Sequence, residues 1–143
     1  MTASADPLAG ATWRTPFAGL RVRMLAAALD LAVVLLVSIA LEAVTGIAAL
    51  SRGSLALAAA ATAIYLAGSW GTAGSTGGQK ILGLRVVRAA DGEPIGPGTA
   101  LLRVAGCVIA GAPLLVGLAW VAWDSRKQGW HDKVAGTVVI HDR

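Results

Sequence analysis

The feature that most constrains this chain is a long apolar run, residues 24–41, with an acidic residue inside it. Asp30 stands within the run and Arg23 immediately precedes it. At 1.5 Å of rise per residue, about 18 helical residues cover most of a hydrocarbon core of about 30 Å. A carboxylate at that depth costs a few kcal/mol or more unless it meets a partner or a cavity. Asp30 therefore requires a specific structural or functional role.

Two further apolar runs follow, at residues 55–70 and 104–123. Hydrophobic residues make up 56% of the chain, charged residues 14%, and the mean hydropathy is +0.69. Soluble domains contain about 25% charged residues. We predict a mainly α, polytopic helical membrane protein with two clear spanning helices. Pro113 breaks the third apolar helix, which either crosses the membrane or re-enters on the side from which it came.

The predicted organisation is a flexible leader, residues 1–20, followed by a single membrane domain, residues 21–143. Between the second and third apolar runs, residues 71–98 predict an interfacial loop and a short β-hairpin. Four of the first ten residues of this segment are glycines, and a segment rich in β-branched residues follows. Asp91 and Gly92 are typical of a tight turn.

The distribution of Lys and Arg predicts the orientation. The N-terminus and residues 71–103 are basic, which places both on the cytoplasmic side of a bacterial cytoplasmic membrane. The polar tail, residues 124–143, is also basic, whereas three full crossings would put it on the opposite side. If the third apolar run bends back, the tail is cytoplasmic and its strand-like piece, residues 133–140, can join the hairpin.

The expected partners are the lipid bilayer and other protein chains. A domain of 143 residues is too small to surround a wide pathway alone, so we expect a homo-oligomer or a subunit of a membrane complex. The formal charge of +4 is spread in small groups, without the dense basic face of a nucleic-acid-binding protein. The tryptophans near the ends of apolar runs are typical of interfacial anchors: Trp70, Trp120, Trp123 and Trp130.

Arg23 and Asp30 project from nearly the same azimuth of a helix, about 10.5 Å apart along its axis. The Asp30 side chain leans towards the helix N-terminus and therefore towards Arg23. Two interpretations remain open: a buried ion pair that orients helices, or a carboxylate that binds a proton or monovalent cation.

The tail adds a second group of charges. His131 can titrate near neutral pH, and Asp132 can pair with Arg23 or another cation; a solvated interfacial cluster is the alternative. His131, Asp132 and His141 match no metal-ligand spacing, so no metal site is predicted. We identify no Ser-His-Asp or Cys-His arrangement and no nucleotide-binding loop, and therefore expect no enzyme activity and no cofactor.

Several segments together, in this order along the chain, carry a resemblance to a known family: Ala18–Asp30, Thr76–Val87, Asp91-Gly92, Leu102-Arg103 and Gly129–Val139. They resemble the RDD family of small membrane proteins, named for one arginine and two aspartates. The resemblance implies that Arg23 is the named arginine, Asp30 the first aspartate and Asp132 the second, although Asp124 also matches a frequently acidic position. The family loop commonly reads Thr-x-Gly-Lys, whereas Gln79 stands at the lysine position.

The resemblance implies a multispanning helical domain and suggests transport of ions or small solutes. We predict a proton- or ion-binding site, or a buried ion pair, at Arg23, Asp30 and Asp132. A non-catalytic accessory or assembly subunit of a larger membrane complex is the alternative function. Four further residues are candidates for the same site: His131, Asp124, Arg103 and Lys80.

Overall fold

A computed structural model describes residues 16–47, 51–111 and 116–142 of the chain. Most of the predicted leader and the predicted break at Pro113 lie outside these residues. The described part is mainly helical, with one two-stranded sheet. The elements in chain order are α1 Leu20–Thr45, α2 Arg52–Ala73, α3 Gly77–Ile81, β1 Leu84–Arg88, α4 Pro97–Gly111, α5 Val116–Ala119, a 3-10 helix Trp120–Ala122, α6 Trp130–Ala135 and β2 Thr137–His141.

Helices α1 and α2 are long and apolar enough to cross a membrane, and each extends beyond the run predicted for it. Helix α1 ends at Gly46, whose positive φ of 69° suits glycine, and Ser51 caps α2 by accepting from the Ser54 backbone N–H. In their most apolar stretches only 11% and 6% of the residues are buried. An uncovered apolar surface of this extent requires lipid or protein against it.

The sheet differs from the predicted hairpin. The turn at Gly92 does form, with the Gly92 N–H donating to the Arg88 carbonyl. The returning chain then makes only an isolated bridge, between Val87 and Pro94, because proline has no backbone N–H for a ladder. Strand β1 instead pairs antiparallel with β2, with Val86 opposite Val139, so the strand-like piece of the tail does join this sheet, as one of the predicted arrangements allowed.

The glycine-rich segment before β1 is also more ordered than the predicted loop. Helix α2 continues to Ala73, and Gly74 ends it at a φ of 68°. Thr76 and Gln79 then form a capping box that starts α3: the Thr76 hydroxyl accepts from the Gln79 N–H, and the Gln79 side chain accepts from the Thr76 N–H. This reciprocal capping gives a glycine-rich sequence a helical turn.

The third apolar run forms α4, α5 and the short 3-10 helix. Helix α4 contains 15 residues, about 22 Å long, which is shorter than a hydrocarbon core of about 30 Å. A Cβ on Gly117 would lie 2.8 Å from Ala110 Cβ, and one on Gly106 would lie 2.8 Å from His131 Cα. The chain therefore folds back beside α4 after leaving it, and α6 packs along α4.

The buried core lies at one end of the long helices. Elements α3, β1, α6 and β2 form this end and are called the cap below. The Ala18 N–H donates to the Val139 carbonyl at 2.9 Å, and Phe17 bridges Ile140. The start of α1, strand β1 and the tail thus share one end of the molecule. Buried apolar residues join them to α2 and α4: Ala18, Ala26, Trp70, Leu84, Val86, Ile95, Ala100 and Val139.

Candidate functional site

Asp132 occupies the centre of a buried ionic cluster. It lies in the first turn of α6, where its Oδ2 accepts from the Gly129 N–H at 2.9 Å, and its side chain is fully buried. The same Oδ2 accepts from Arg23 Nη1 of α1 at 2.6 Å, while Oδ1 pairs with Arg103 Nη1 of α4. One carboxylate therefore connects three helices that are distant in sequence.

Arg103 is held on several sides. It is 2% exposed, its Nη1 donates to Thr137 Oγ1 at 2.6 Å, and its Cζ lies 4.6 Å from the centroid of the Trp70 ring. The predicted interfacial role of Trp70 is therefore wrong: the indole is 5% exposed, stacks on a guanidinium and donates from Nε1 to Gln79 Oε1. Trp120 and Trp123 are exposed.

The charges in this cluster are unequal. Two guanidinium groups share one carboxylate, since Arg23 and Arg103 both pair with Asp132. Burial opposes ionisation of Asp132, but the attraction of Arg103 and Arg23 outweighs it and holds the pKa of that carboxyl well below its usual range. Burial lowers the pKa of His131 to about 4 despite the neighbouring carboxylate, so the imidazole is neutral at pH 7.

Asp30 lies in a second polar group, formed by α1, α2 and α3. Its Oδ1 accepts from the Tyr65 hydroxyl at 2.7 Å and from the Gly78 N–H at 2.8 Å, and its Oδ2 accepts from the Thr76 hydroxyl at 2.5 Å. Tyr65 also accepts from the Gly77 N–H at 2.9 Å. Among the described residues, Asp30 is hydrogen-bonded entirely by neutral donors.

The docking of α3 on α1 depends on Gly78. A Cβ there would lie 2.2 Å from the Ala26 carbonyl oxygen and 3.1 Å from the Asp30 carboxyl carbon. Only a residue without a side chain permits this approach. Gln79 stabilises the same turn by accepting from both Trp70 Nε1 and the Thr76 N–H. A lysine at this position has no side-chain acceptor and cannot make either bond.

The structure separates the two residues that the helical spacing brought together. Arg23 turns towards the cap and pairs with Asp132, one of the partners left open by the sequence, whereas Asp30 bonds to α2 and α3. The Thr76-x-x-Gln79 pattern is a capping-box signature, which indicates that a helix begins just after Thr76. This helix, α3, and its capping residue supply two of the partners of Asp30. Tyr65 carried no comparable signal in the sequence.

The remaining candidates lie apart from this cluster. Asp124 pairs with Lys133 at 2.6 Å and accepts from two backbone N–H groups. Burial works against its ionisation, but Lys133 and these N–H groups lower its pKa overall. Lys80 is exposed near the end of α3. Asp132 therefore contacts the Arg23 side chain, whereas Asp124 does not belong to that cluster.

A cavity of about 380 Å³ lies between α1, α2, α4 and the segment that follows α4. Most of its wall is apolar and includes Met24, Leu31, Val34, Leu66, Leu118 and Val121. Charged and polar residues from both groups line its remaining wall: Arg23, Asp30, Tyr65, Thr76, Gln79, Arg103 and His131. The two groups therefore border a single space.

These features define a small, mainly helical protein with two uncovered helices of membrane length and a buried arginine–aspartate cluster beside a cavity. The chain belongs to the RDD family, whose match covers residues 17–136. Arg23 and Asp30 line one cavity, and Asp132 pairs with Arg23 beside it.

The chain is similar to two curated mycobacterial proteins over a segment of 70 residues. It is 34% identical to the proline-rich antigen homolog of Mycobacterium tuberculosis and 30% identical to the proline-rich antigen of Mycobacterium leprae. The segment covers 49% of this chain but only 29% and 28% of those relatives. No solved structure matches the chain.

Proposed function

We propose that this chain is an integral membrane protein that binds a small solute or ion in the cavity and moves it across the bilayer, as a homo-oligomer or with a partner chain. The observation that carries the proposal is the convergence of charged side chains from α1 and α4, and of the neutral His131 from α6, on a cavity with apolar walls. Intramembrane ionisable groups usually mark such pathways, and a few polar groups in an apolar pocket are typical of ligand sites.

The proposed topology has α1 and α2 crossing the membrane, while α4 and the segment after it re-enter from the cap side. Support comes from the length of α4 and from the packing of α6 along it. The start of α1, residues 71–103 and the tail then face the cytoplasm of a bacterial cell, in agreement with the positive-inside rule. In this proposal the protein has no catalytic activity of its own.

The test is flux in proteoliposomes, measured with an enclosed pH-sensitive dye under a sodium or potassium gradient and, in parallel, as uptake of a radiolabelled amphipathic anion. Ala27 lines the cavity on α1, whereas the adjacent Ala28 is exposed and does not line it. We expect the flux that the unchanged chain supports to be lost in Ala27→Trp and retained in Ala28→Trp. Asp30→Asn, matched for folding and oligomeric state, should lose flux as well.

An accessory or assembly subunit is the second candidate function. It is supported by the bare apolar surface of α1 and α2 and by an ionic cluster that stabilises the fold internally. Purification in mild detergent distinguishes the two functions. Recovery of the chain in a stable complex with another membrane protein, with no flux from the folded chain alone, would favour the accessory role.

A further inference from the structure

We infer that the cavity binds an amphipathic anion, in which a phosphate or carboxylate group is joined to an apolar chain. This inference rests on the proposed function and specifies the chemical class of its solute. It depends on the balance of charges beside the cavity, on the donors and acceptors left there, and on the apolar character of the remaining wall.

The charge balance favours an anion. Arg23 and Arg103 both line the cavity and share the single carboxylate of Asp132, so this cluster carries a local excess of one positive charge. His131 adds no charge at pH 7. The other carboxylate at the cavity, Asp30, balances the charge overall, but it is bound by neutral donors of α2 and α3 and pairs with neither arginine. An anion bound at the two arginines would therefore meet a positive charge that no neighbouring carboxylate pairs with directly.

The hydrogen-bonding groups also favour an anion. Within the described residues, two buried guanidinium donors of the cavity-lining side chains have no partner: Arg23 Nη2 and Arg103 Nε. The side-chain acceptors of Asp30 and Gln79 are already engaged. Asp30 accepts three hydrogen bonds, and Gln79 Oε1 accepts two. Unused donors on guanidinium groups suit phosphate or carboxylate oxygens.

The same pattern argues against a cation at Asp30. A cation is held by several oxygen atoms that offer free lone pairs. The Tyr65 and Thr76 hydroxyl groups donate their protons to Asp30 and accept backbone N–H groups from α3. Both hydroxyl groups therefore direct their protons, rather than a lone pair, towards the Asp30 carboxylate.

The rest of the cavity specifies the apolar part of the ligand. Leu31, Val34 and Leu66 belong to the membrane-length helices, so the apolar wall continues into the part of the molecule that faces lipid. A volume of about 380 Å³ lies within the ordinary range for small-molecule sites. A ligand with an anionic group at the arginines and an alkyl chain along this wall would fit both the charged and the apolar parts of the cavity.

The experiment compares three probes with the same ten-carbon chain: decyl phosphate, decyltrimethylammonium and decanol. Each is titrated into the full chain in non-ionic detergent, and binding is measured by the rise in the thermal unfolding midpoint. Ala27→Trp blocks the cavity, and Ala28→Trp is the matched control for probe uptake by the micelle. Both variants leave the ionic cluster intact.

We expect decyl phosphate to bind at least tenfold more tightly than either other probe, with the difference absent in Ala27→Trp and preserved in Ala28→Trp. Equal binding of decanol or tighter binding of the cation, when blocked by Ala27→Trp, would overturn the inference and leave a solute-binding cavity in place. Failure of all three probes to bind at the cavity would overturn the inference, whereas the flux assay tests the proposed function independently.

A final pair of measurements distinguishes the source of the anion. Phosphatidic acid presents the same headgroup on two acyl chains and is titrated beside decyl phosphate. Native mass spectrometry of the protein from mild detergent then shows whether an anionic phospholipid is retained. Tighter binding and retention of the phospholipid would assign the site to a membrane lipid, and tighter binding of the single-chain probe without retention would assign it to a free amphiphile.

Discussion

Arg23 donates from Nη1 to Asp132 Oδ2 at 2.6 Å, although 109 residues separate them in the sequence. Arg23 lies at the start of the first membrane-length helix, and Asp132 lies in a short helix of the cap. Because Arg103 pairs with the other carboxylate oxygen, the aspartate holds α1 and α4 at a fixed distance from the cap. The shape of the cavity depends on this connection.

Replacing Asp132 with Asn should be strongly destabilising. The change leaves the buried guanidinium groups of Arg23 and Arg103 without a counter-charge, and breaking a buried ion pair in this way costs about 3–5 kcal/mol. The free energy of unfolding, measured by denaturant titration in detergent micelles, should fall by that amount. Asp124→Asn is the control, because its Lys133 partner is about half exposed and such pairs contribute about 1 kcal/mol or less. Similar losses in the two variants would contradict the central role of Asp132.

Gly78→Ala should separate α3 from α1. The added methyl group would lie 2.2 Å from the Ala26 carbonyl oxygen, and neither backbone can move without breaking the hydrogen bonds to Asp30. We expect a loss of about 1–3 kcal/mol, as in other overpacked sites. Gly98→Ala is the matched control because a Cβ there meets nothing within 4 Å. Thermal unfolding of both variants measures the difference; an unchanged midpoint in Gly78→Ala would refute the close approach.

Tyr65→Phe should weaken the attachment of Asp30. The hydroxyl group donates to the carboxylate and accepts from the Gly77 N–H, so its removal leaves both without that partner. A hydrogen bond to a charged group contributes about 1.5–3 kcal/mol. Thr72→Val, which removes an exposed hydroxyl bonded within α2, serves as control and should change stability by less than about 0.5 kcal/mol. Chemical unfolding in micelles provides the comparison.

Acidification should destabilise the protein between about pH 6.5 and pH 4. Burial lowers the pKa of His131 to about 4 in the folded chain, whereas an unfolded histidine titrates near 6.5. In this window the unfolded state binds more protons, so stability decreases as the pH falls, by up to about 3 kcal/mol. His131→Gln should flatten the dependence of the unfolding midpoint on pH. An equally steep dependence in the variant would assign the titration to another group.

Cysteine labelling tests the topology. In a Cys107→Ala background, single cysteines replace Thr45 at the end of α1, Lys80 in the cap and Ser125 in the tail. All three positions are exposed. We expect a membrane-impermeant maleimide to reach the Lys80 and Ser125 positions from the same side and the Thr45 position from the opposite side. Labelling of all three from one side of spheroplasts would rule out spanning by α1 and α2.

The long helices were predictable because their signal is local. Long runs of mostly apolar residues define α1 and α2, and the glycines Gly46 and Gly74 mark where they end. The sheet was less predictable, since β1 pairs with a strand about fifty residues later and Pro94 prevents the nearer pairing. The turn at Gly92 was predicted correctly from its residue types, but a turn does not determine which strand pairs with β1.

The structure brings several of the candidate residues to one cavity, but it connects them differently from what helical spacing suggested. Arg23, Asp30, Arg103 and His131 do line one cavity, and Asp132 pairs with two of them. Helical spacing placed Arg23 and Asp30 on the same face of one helix, but a side chain can pair with any element that packs near it. The partners of Asp30 come from α2 and α3, whose relative position depends on a close backbone approach at Gly78 that spacing does not encode.

The order in which the ribosome makes the chain gives the Asp132 cluster a role in biogenesis. Arg23 and Arg103 are synthesised before the aspartate that neutralises both, and β2 follows Asp132 by only a few residues. The two guanidinium groups are therefore without their counter-ion until Asp132 has been synthesised. Closure of the cap waits for this residue, and a nascent chain that stops before Asp132 presents two unneutralised arginines to the quality-control proteases of the cell.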